Sequence, residues 1–131
     1  MKSVLVIDDD ESLRLLLERI LEKKYKVTFS SSALEAFCWL TDGNFPDVIL
    51  TDINMPTISC IELIENLNQS GLFKDIPVIV LSGFDDAEDK ERCKELGIHA
   101  YLAKPFTPDY LFRIIDDAIN ATPELNAKSY A

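Results

Sequence analysis

The chain has 131 residues, enough for one domain with a real core. A net charge of −10 and a pI near 4.4 argue against direct nucleic-acid binding, because phosphate backbones would be repelled. No apolar run is long enough to span a bilayer, and 47% hydrophobic with 27% charged residues is the balance of a globular protein with no membrane segment.

In chain order, residues 4–7 (VLVI) read as a buried strand. The run is too short for a signal-peptide core, so export is not expected and a cytoplasmic location is. Asp8, Asp9, Asp10 and Glu11 follow. Leu13, Leu16, Leu17, Ile20 and Leu21 then mark one helical face, with Asp9 or Asp10 able to cap it. A cap and the helix dipole account for one or two of these acids, but four in a row repel one another without a counter-ion. Residues 26–30 (KVTFS) alternate and suggest a second strand nearer an edge. Ser32-Ala33-Leu34-Glu35 matches a capping box, and Ala33, Ala36, Phe37 and Leu40 form the stripe of a second helix. Trp39 falls off that stripe and is expected to pack partly exposed.

Residues 47–56 (DVILTDINMP) carry the most information. Val48, Ile49 and Leu50 suit a strand buried on both faces, Asp52 lies just past the run, and Pro56 prevents its continuation. Cys60, Leu63, Ile64 and Leu67 give a third helical face. Residues 77–81 (PVIVL) form a fourth strand pattern, followed by Ser82 and Gly83. Asp86 can cap a fourth helix that ends at Gly97. Its stripe of Ala87, Cys93 and Leu96 is weak, so this helix should pack lightly and be mobile. Residues 100–103 (AYLA) form a short fifth strand ending in Lys104-Pro105. Thr107-Pro108 opens a last helix on Leu111, Ile114, Ile115 and Ala118. Thr122-Pro123 closes it, leaving residues 124–131 as a frayed tail. His99, in the turn before the fifth strand, is expected at the surface. Cys38, Cys60 and Cys93 are odd in number and lack CxxC spacing, so free buried thiols are expected.

Five strand-then-helix repetitions predict an α/β fold, a parallel sheet with helices on both faces joined by right-handed crossovers. The carboxyl ends of parallel strands share one edge, where ligands bind in such sheets. That edge collects Asp8, Asp9, Asp52, Ser82 and Lys104. Separately, Asp52 and Ser82 would pass for turn residues and Lys104 for a solvated lysine. Together, three carboxylates need positive charge among them. Lys104 supplies one, and a hard divalent cation such as Mg²⁺ suits an all-oxygen set, with the backbone carbonyl of Asn54 as a further ligand.

Four stretches (VLVIDDDE, DVILTDINMP, VIVLSG and AYLAKPF) resemble, in order, the motifs of the receiver domain of bacterial two-component response regulators. The resemblance extends to about Ala121, so residues 1–121 are the expected receiver domain and 122–131 a tail. It implies a single doubly wound, flavodoxin-like five-stranded sheet in the order 2-1-3-4-5, flanked by five helices. It implies that Asp52 is the phosphoacceptor, taking a phosphoryl group from a phosphohistidine of a sensor histidine kinase or phosphotransfer protein. Asp9 resembles the direct Mg²⁺ ligand, with Asp8 acting partly through water. Lys104 and Ser82 would contact the phosphoryl oxygens. Ser82 and Tyr101 resemble a switch pair, with Tyr101 turning inward on phosphorylation to remodel a surface for an output partner or a C-terminal output domain. Such a module catalyses only its own aspartyl phosphorylation and dephosphorylation. Cys60 and Ser59 replace the usual glycine and a frequent aspartate, so the loop that carries Asn54 is expected to run differently. Gly83 replaces a common alanine and should loosen the following loop. Phe84, bulky and apolar two residues past Ser82, should slow self-dephosphorylation. An aspartyl phosphohydrolase of the haloacid dehalogenase type would need an acid at Asn54, and a flavodoxin would need a phosphate loop after the first strand. An unphosphorylated scaffold would not need the complete set of Asp8, Asp9, Asp52, Ser82 and Lys104.

Overall fold

Strands and helices alternate in the computed structural model, which describes residues 1–53, 60–83 and 87–121. They are β1 (Ser3–Ile7), α1 (Glu11–Leu21), β2 (Lys26–Ser30), α2 (Ala33–Thr41), β3 (Val48–Asp52), α3 (Cys60–Asn68), β4 (Val78–Ser82), α4 (Ala87–Glu95), β5 (Ala100–Ala103) and α5 (Pro108–Asn120). The expectations placed on Asn54, Ser59, Phe84, Asp86 and the tail fall outside the described residues.

The strands form one sheet in the order β2-β1-β3-β4-β5, and every pairing is parallel. This is the predicted fold. The run Val48, Ile49, Leu50 occupies the central strand and is fully buried. β2 takes one edge, with Lys26 exposed. Asp47 ties the starts of β1 and β3, since its Oδ2 accepts the Ser3 N–H at 2.7 Å.

Each strand sends alternate residues to opposite faces, so two cores form. Leu5, Ile7, Ile49 and Val80 pack with Ala36, Leu40, Leu63, Ile64 and Cys93 from α2, α3 and α4. Val6, Leu50, Ile79 and Leu102 pack with Leu17, Leu21, Leu111 and Ile115 from α1 and α5. Caps fix the helix entrances. Asp10, one of the two candidates, caps α1 by accepting the Ser12 N–H at 3.0 Å. Thr107 caps α5, with Pro108 in the first turn. Ser32 accepts the Glu35 N–H, but the Glu35 carboxylate bonds Ser31 Oγ at 2.9 Å instead of closing the capping box. Gly43 and Gly97 sit at φ of 102° and 81°, the left-handed turn at a helix end that glycine adopts without strain.

Four expectations are corrected. His99 is completely buried, not at the surface. Its N–H extends the ladder to the Val78 carbonyl at 2.8 Å, and Asp117 of α5 reaches its Nε2 at 3.0 Å. Cys38 is exposed while Cys60 and Cys93 are buried, because Ala36 and Leu40 carry the inner side of α2. Leu16 is 53% exposed. It lies about 100° around α1 from Leu17, beyond the strip that the sheet covers. Ala87 is likewise exposed, leaving Cys93 as the buried residue of α4. Trp39 packs half-buried against the core, as expected.

Candidate functional site

The carboxyl edge of the sheet gathers the chemistry. β1 ends at Ile7 and delivers Asp8 and Asp9, while Asp52 is the last residue of β3. One carboxylate oxygen from each of Asp8, Asp9 and Asp52 lies within 4.8 Å of the others. Lys104 follows β5 and places Nζ 3.6 Å from Asp52 Oδ1. Both partners of this pair are largely shielded, so the attraction is screened less than at an open surface. Ser82 ends β4, buried, and its carbonyl accepts the Lys104 N–H at 2.7 Å. That bond ties the loop bearing Lys104 to the strand bearing Ser82.

The acids differ in setting. Asp9 is exposed, Asp52 half-buried and Asp8 fully buried. Burial raises the Asp8 carboxyl above its ordinary value. The Asp10 N–H, donated to Asp8 Oδ1 at 2.8 Å, opposes that rise, and so does Lys104, while Asp52 and Asp9 add to it. Asp8 Oδ2 is buried with no hydrogen-bond partner among the described residues. A buried acceptor left unpaired is costly, so one on an acid grouped with two further carboxylates fits a cation site. The donor set is all oxygen and all anionic, as a hard divalent cation requires.

Sequence reading located Asp8, Asp9, Asp52, Ser82 and Lys104 at one edge, and the structure places them there. Asn54 lies outside the described residues. Tyr101 is already 1% exposed, so its ring lies inside before any modification. Two neighbours went unnoticed in the sequence. Thr51, buried, donates its hydroxyl to the Asp52 carbonyl at 3.2 Å. Lys90 of α4 holds Nζ 5.9 Å from the centroid of the Tyr101 ring. Neither belongs to a motif: the Thr51 bond is local to β3, and the Lys90 contact joins two elements that meet only after folding. The thiols beneath the site are quiet: burial pushes Cys60 up, and it pushes Cys93 up to about 11.

Comparison with known proteins agrees with this geometry. The response regulator receiver domain family matches residues 4–116. The polar-differentiation response regulator DivK of Brucella ovis is 34% identical over 107 residues, covering 81% of this chain and 86% of DivK. Response regulator Rre1 of Synechocystis is 30% identical over 115 residues, 86% of this chain but 49% of Rre1. A probable transcriptional regulator, ycf29 of Pyropia yezoensis, is 31% identical over 118 residues, 90% of this chain and 53% of the relative. The chain thus spans about half the length of some curated relatives and most of DivK. Among solved structures, a putative response regulator from Chloroflexus aurantiacus superposes with a TM-score of 0.86 at 30% identity, covering 92% of this chain and 98% of that one. The chemotaxis response regulator CheY4 of Vibrio cholerae gives 0.81 at 28% identity, covering 90% and 98%. With the motifs in order, the strand order and the acidic edge in place, the chain belongs to the response regulator receiver domain family, the phosphoacceptor modules of two-component signalling.

Proposed function

We propose that Asp52 is the phosphoacceptor of this receiver and that Asp8, Asp9 and Asp52 hold Mg²⁺, with the Asn54 carbonyl as a further ligand. The observation that carries the reading is the meeting of three carboxylates within 4.8 Å, with Lys104 Nζ 3.6 Å from Asp52 Oδ1. A carboxylate oxygen of Asp52 attacks phosphorus, the bond to the donor histidine nitrogen breaks with its electron pair staying on nitrogen, and an acyl phosphate forms. Phosphoryl transfer asks little of the protein beyond placement and counter-charge. Lys104 offsets charge on the phosphoryl oxygens and the Ser82 hydroxyl donates to one of them. When bound, Mg²⁺ neutralises further negative charge.

The donor is a sensor histidine kinase or a phosphotransfer protein. Leu15 and Leu16 are more than half exposed on α1, close in sequence to the acids, and give such a donor an apolar rim. Residues 1–121 are the signalling module and 122–131 its tail. The module catalyses only its own phosphorylation and dephosphorylation, works in the cytoplasm, and passes the signal to an output partner or a C-terminal output domain. The new phosphate adds about −1.5 to −2 charges and draws Ser82, so that Ser82 and Tyr101 act as the switch pair.

Intact mass after incubation with acetyl phosphate tests this reading. The parent gains one phosphoryl group with Mg²⁺ and none after chelation, and Asp52→Asn gains none. Equal labelling of parent and Asp52→Asn would falsify the assignment.

A further inference from the structure

Tyr101 sits in the middle of β5 and ranks among the largest fully buried side chains. Its ring belongs to the core that α2, α3 and α4 cover. α4 is a thin lid on that core, with Cys93 as its buried residue. Polar contacts also tie it to α3. Arg92 pairs with Glu65 at 3.1 Å, and Asn68 Nδ2 donates to the Leu96 carbonyl at 2.7 Å just past the helix. Lys90, half-exposed, stands over the Tyr101 ring at 5.9 Å from its centroid, near the outer limit at which a cation is drawn to an aromatic face.

We propose that Lys90 is a positioning residue that holds Tyr101 inward before any phosphoryl group reaches Asp52, and so couples the seat of α4 to the rotamer of β5's aromatic. The proposal rests on the reading of Tyr101 as a switch residue. The ring face attracts the ammonium. Turning Tyr101 outward would give up that attraction. A contact of this kind at a half-exposed site biases a two-state rotamer by about 2–5-fold, enough to set a resting population without locking it. Chemistry that neutralises the Lys90 amine would therefore loosen Tyr101, whereas an arginine, still cationic and planar, would keep the ring in place.

The test uses the full, unphosphorylated chain labelled with fluorotyrosine, its Tyr101 resonance assigned through Tyr101→Phe. The deuterium solvent-isotope shift of that resonance reports ring exposure. Lys90→Gln should raise the exposed fraction about 2–5-fold, and Lys90→Arg should restore the parent value. Thermal unfolding alongside reads whether either variant folds less well. A Lys90→Gln resonance matching the parent overturns the proposal, and so does a Lys90→Arg variant that behaves like Lys90→Gln. The underlying switch reading fails separately: in that case acetyl phosphate with Mg²⁺ labels Asp52 in the parent but leaves the Tyr101 resonance unmoved.

Discussion

At the scale of single residues, Asp8 shows how this site trades stability for chemistry. Its carboxyl is buried, one oxygen held by the Asp10 N–H and the other without a hydrogen bond among the described residues. Asp52 and Asp9 raise its pKa further on top of burial. A raised carboxyl binds its proton more tightly in the folded chain, so it costs stability as pH climbs from the unfolded value of 3.8 through the folded one. A bound cation reverses that cost. Asp8→Asn should therefore unfold at a higher temperature than the parent in chelator at neutral pH. Its Mg²⁺ affinity should fall on the order of 10-fold or more. In the parent, Mg²⁺ at a hundred times its dissociation constant should add about 2.7 kcal/mol. Calorimetry with and without Mg²⁺ reads all three, and a variant less stable than the parent in chelator would count against a strained, cation-ready acid.

Elements carry a different lesson, because α4 and α5 are built in opposite ways. α5 buries Leu111, Ile114, Ile115 and Ala118 and is pinned on two sides. Asp117 meets His99, and Asp116 takes both Lys24 at 2.7 Å and the Tyr25 hydroxyl. Hydrogen bonds from Lys24 and Tyr25 lower the Asp116 carboxyl, while burial and the Asp116 bond raise the Tyr25 phenol. A lowered carboxyl contributes stability that is present above the unfolded value of 3.8 and is lost as pH falls through the folded one. Asp116→Asn should cost ~0.5–1 kcal/mol at neutral pH, a modest figure because the pair is nearly half exposed and screened. The difference from the parent should vanish in strong acid, and a pH-independent difference in urea titrations would contradict the ion-pair origin. α4, by contrast, rests on Cys93 and surface pairs. Its amides should exchange faster than those of α5, and equal protection would refute the thin-lid description.

The same elements show what a reader of the sequence could see. Periodicity located α3 and α5 through Leu63, Ile64, Leu67 and through Leu111, Ile114, Ile115, since each buries one side of a helix. It misplaced Leu16, because an apolar side chain at the margin of a stripe looks no different from one at its centre. His99 was misread for a related reason. A lone polar residue in a turn suggests the surface, and the partner that makes burial tolerable, Asp117, lies 18 positions away. The Lys90–Tyr101 contact joins two elements with no shared spacing, so no pattern announces it.

For the whole molecule, topology does most of the work. Parallel strands put every carboxyl end on one edge, so Asp8, Asp9, Asp52, Ser82 and Lys104 converge from four strands although they span nearly the whole chain. That convergence was legible because strand ends were legible, and the distances needed coordinates. The net charge of −10 also has a focus here, where three acids face one lysine.

Chemical trapping of the acyl phosphate tests this account most directly. Borohydride reduces an aspartyl phosphate to homoserine, and peptide sequencing by mass spectrometry then locates it. After acetyl phosphate and Mg²⁺, homoserine should stand at position 52 and nowhere else. Homoserine at position 8 or 9, or an unchanged aspartate at 52 in protein that has gained a phosphoryl group, would contradict it.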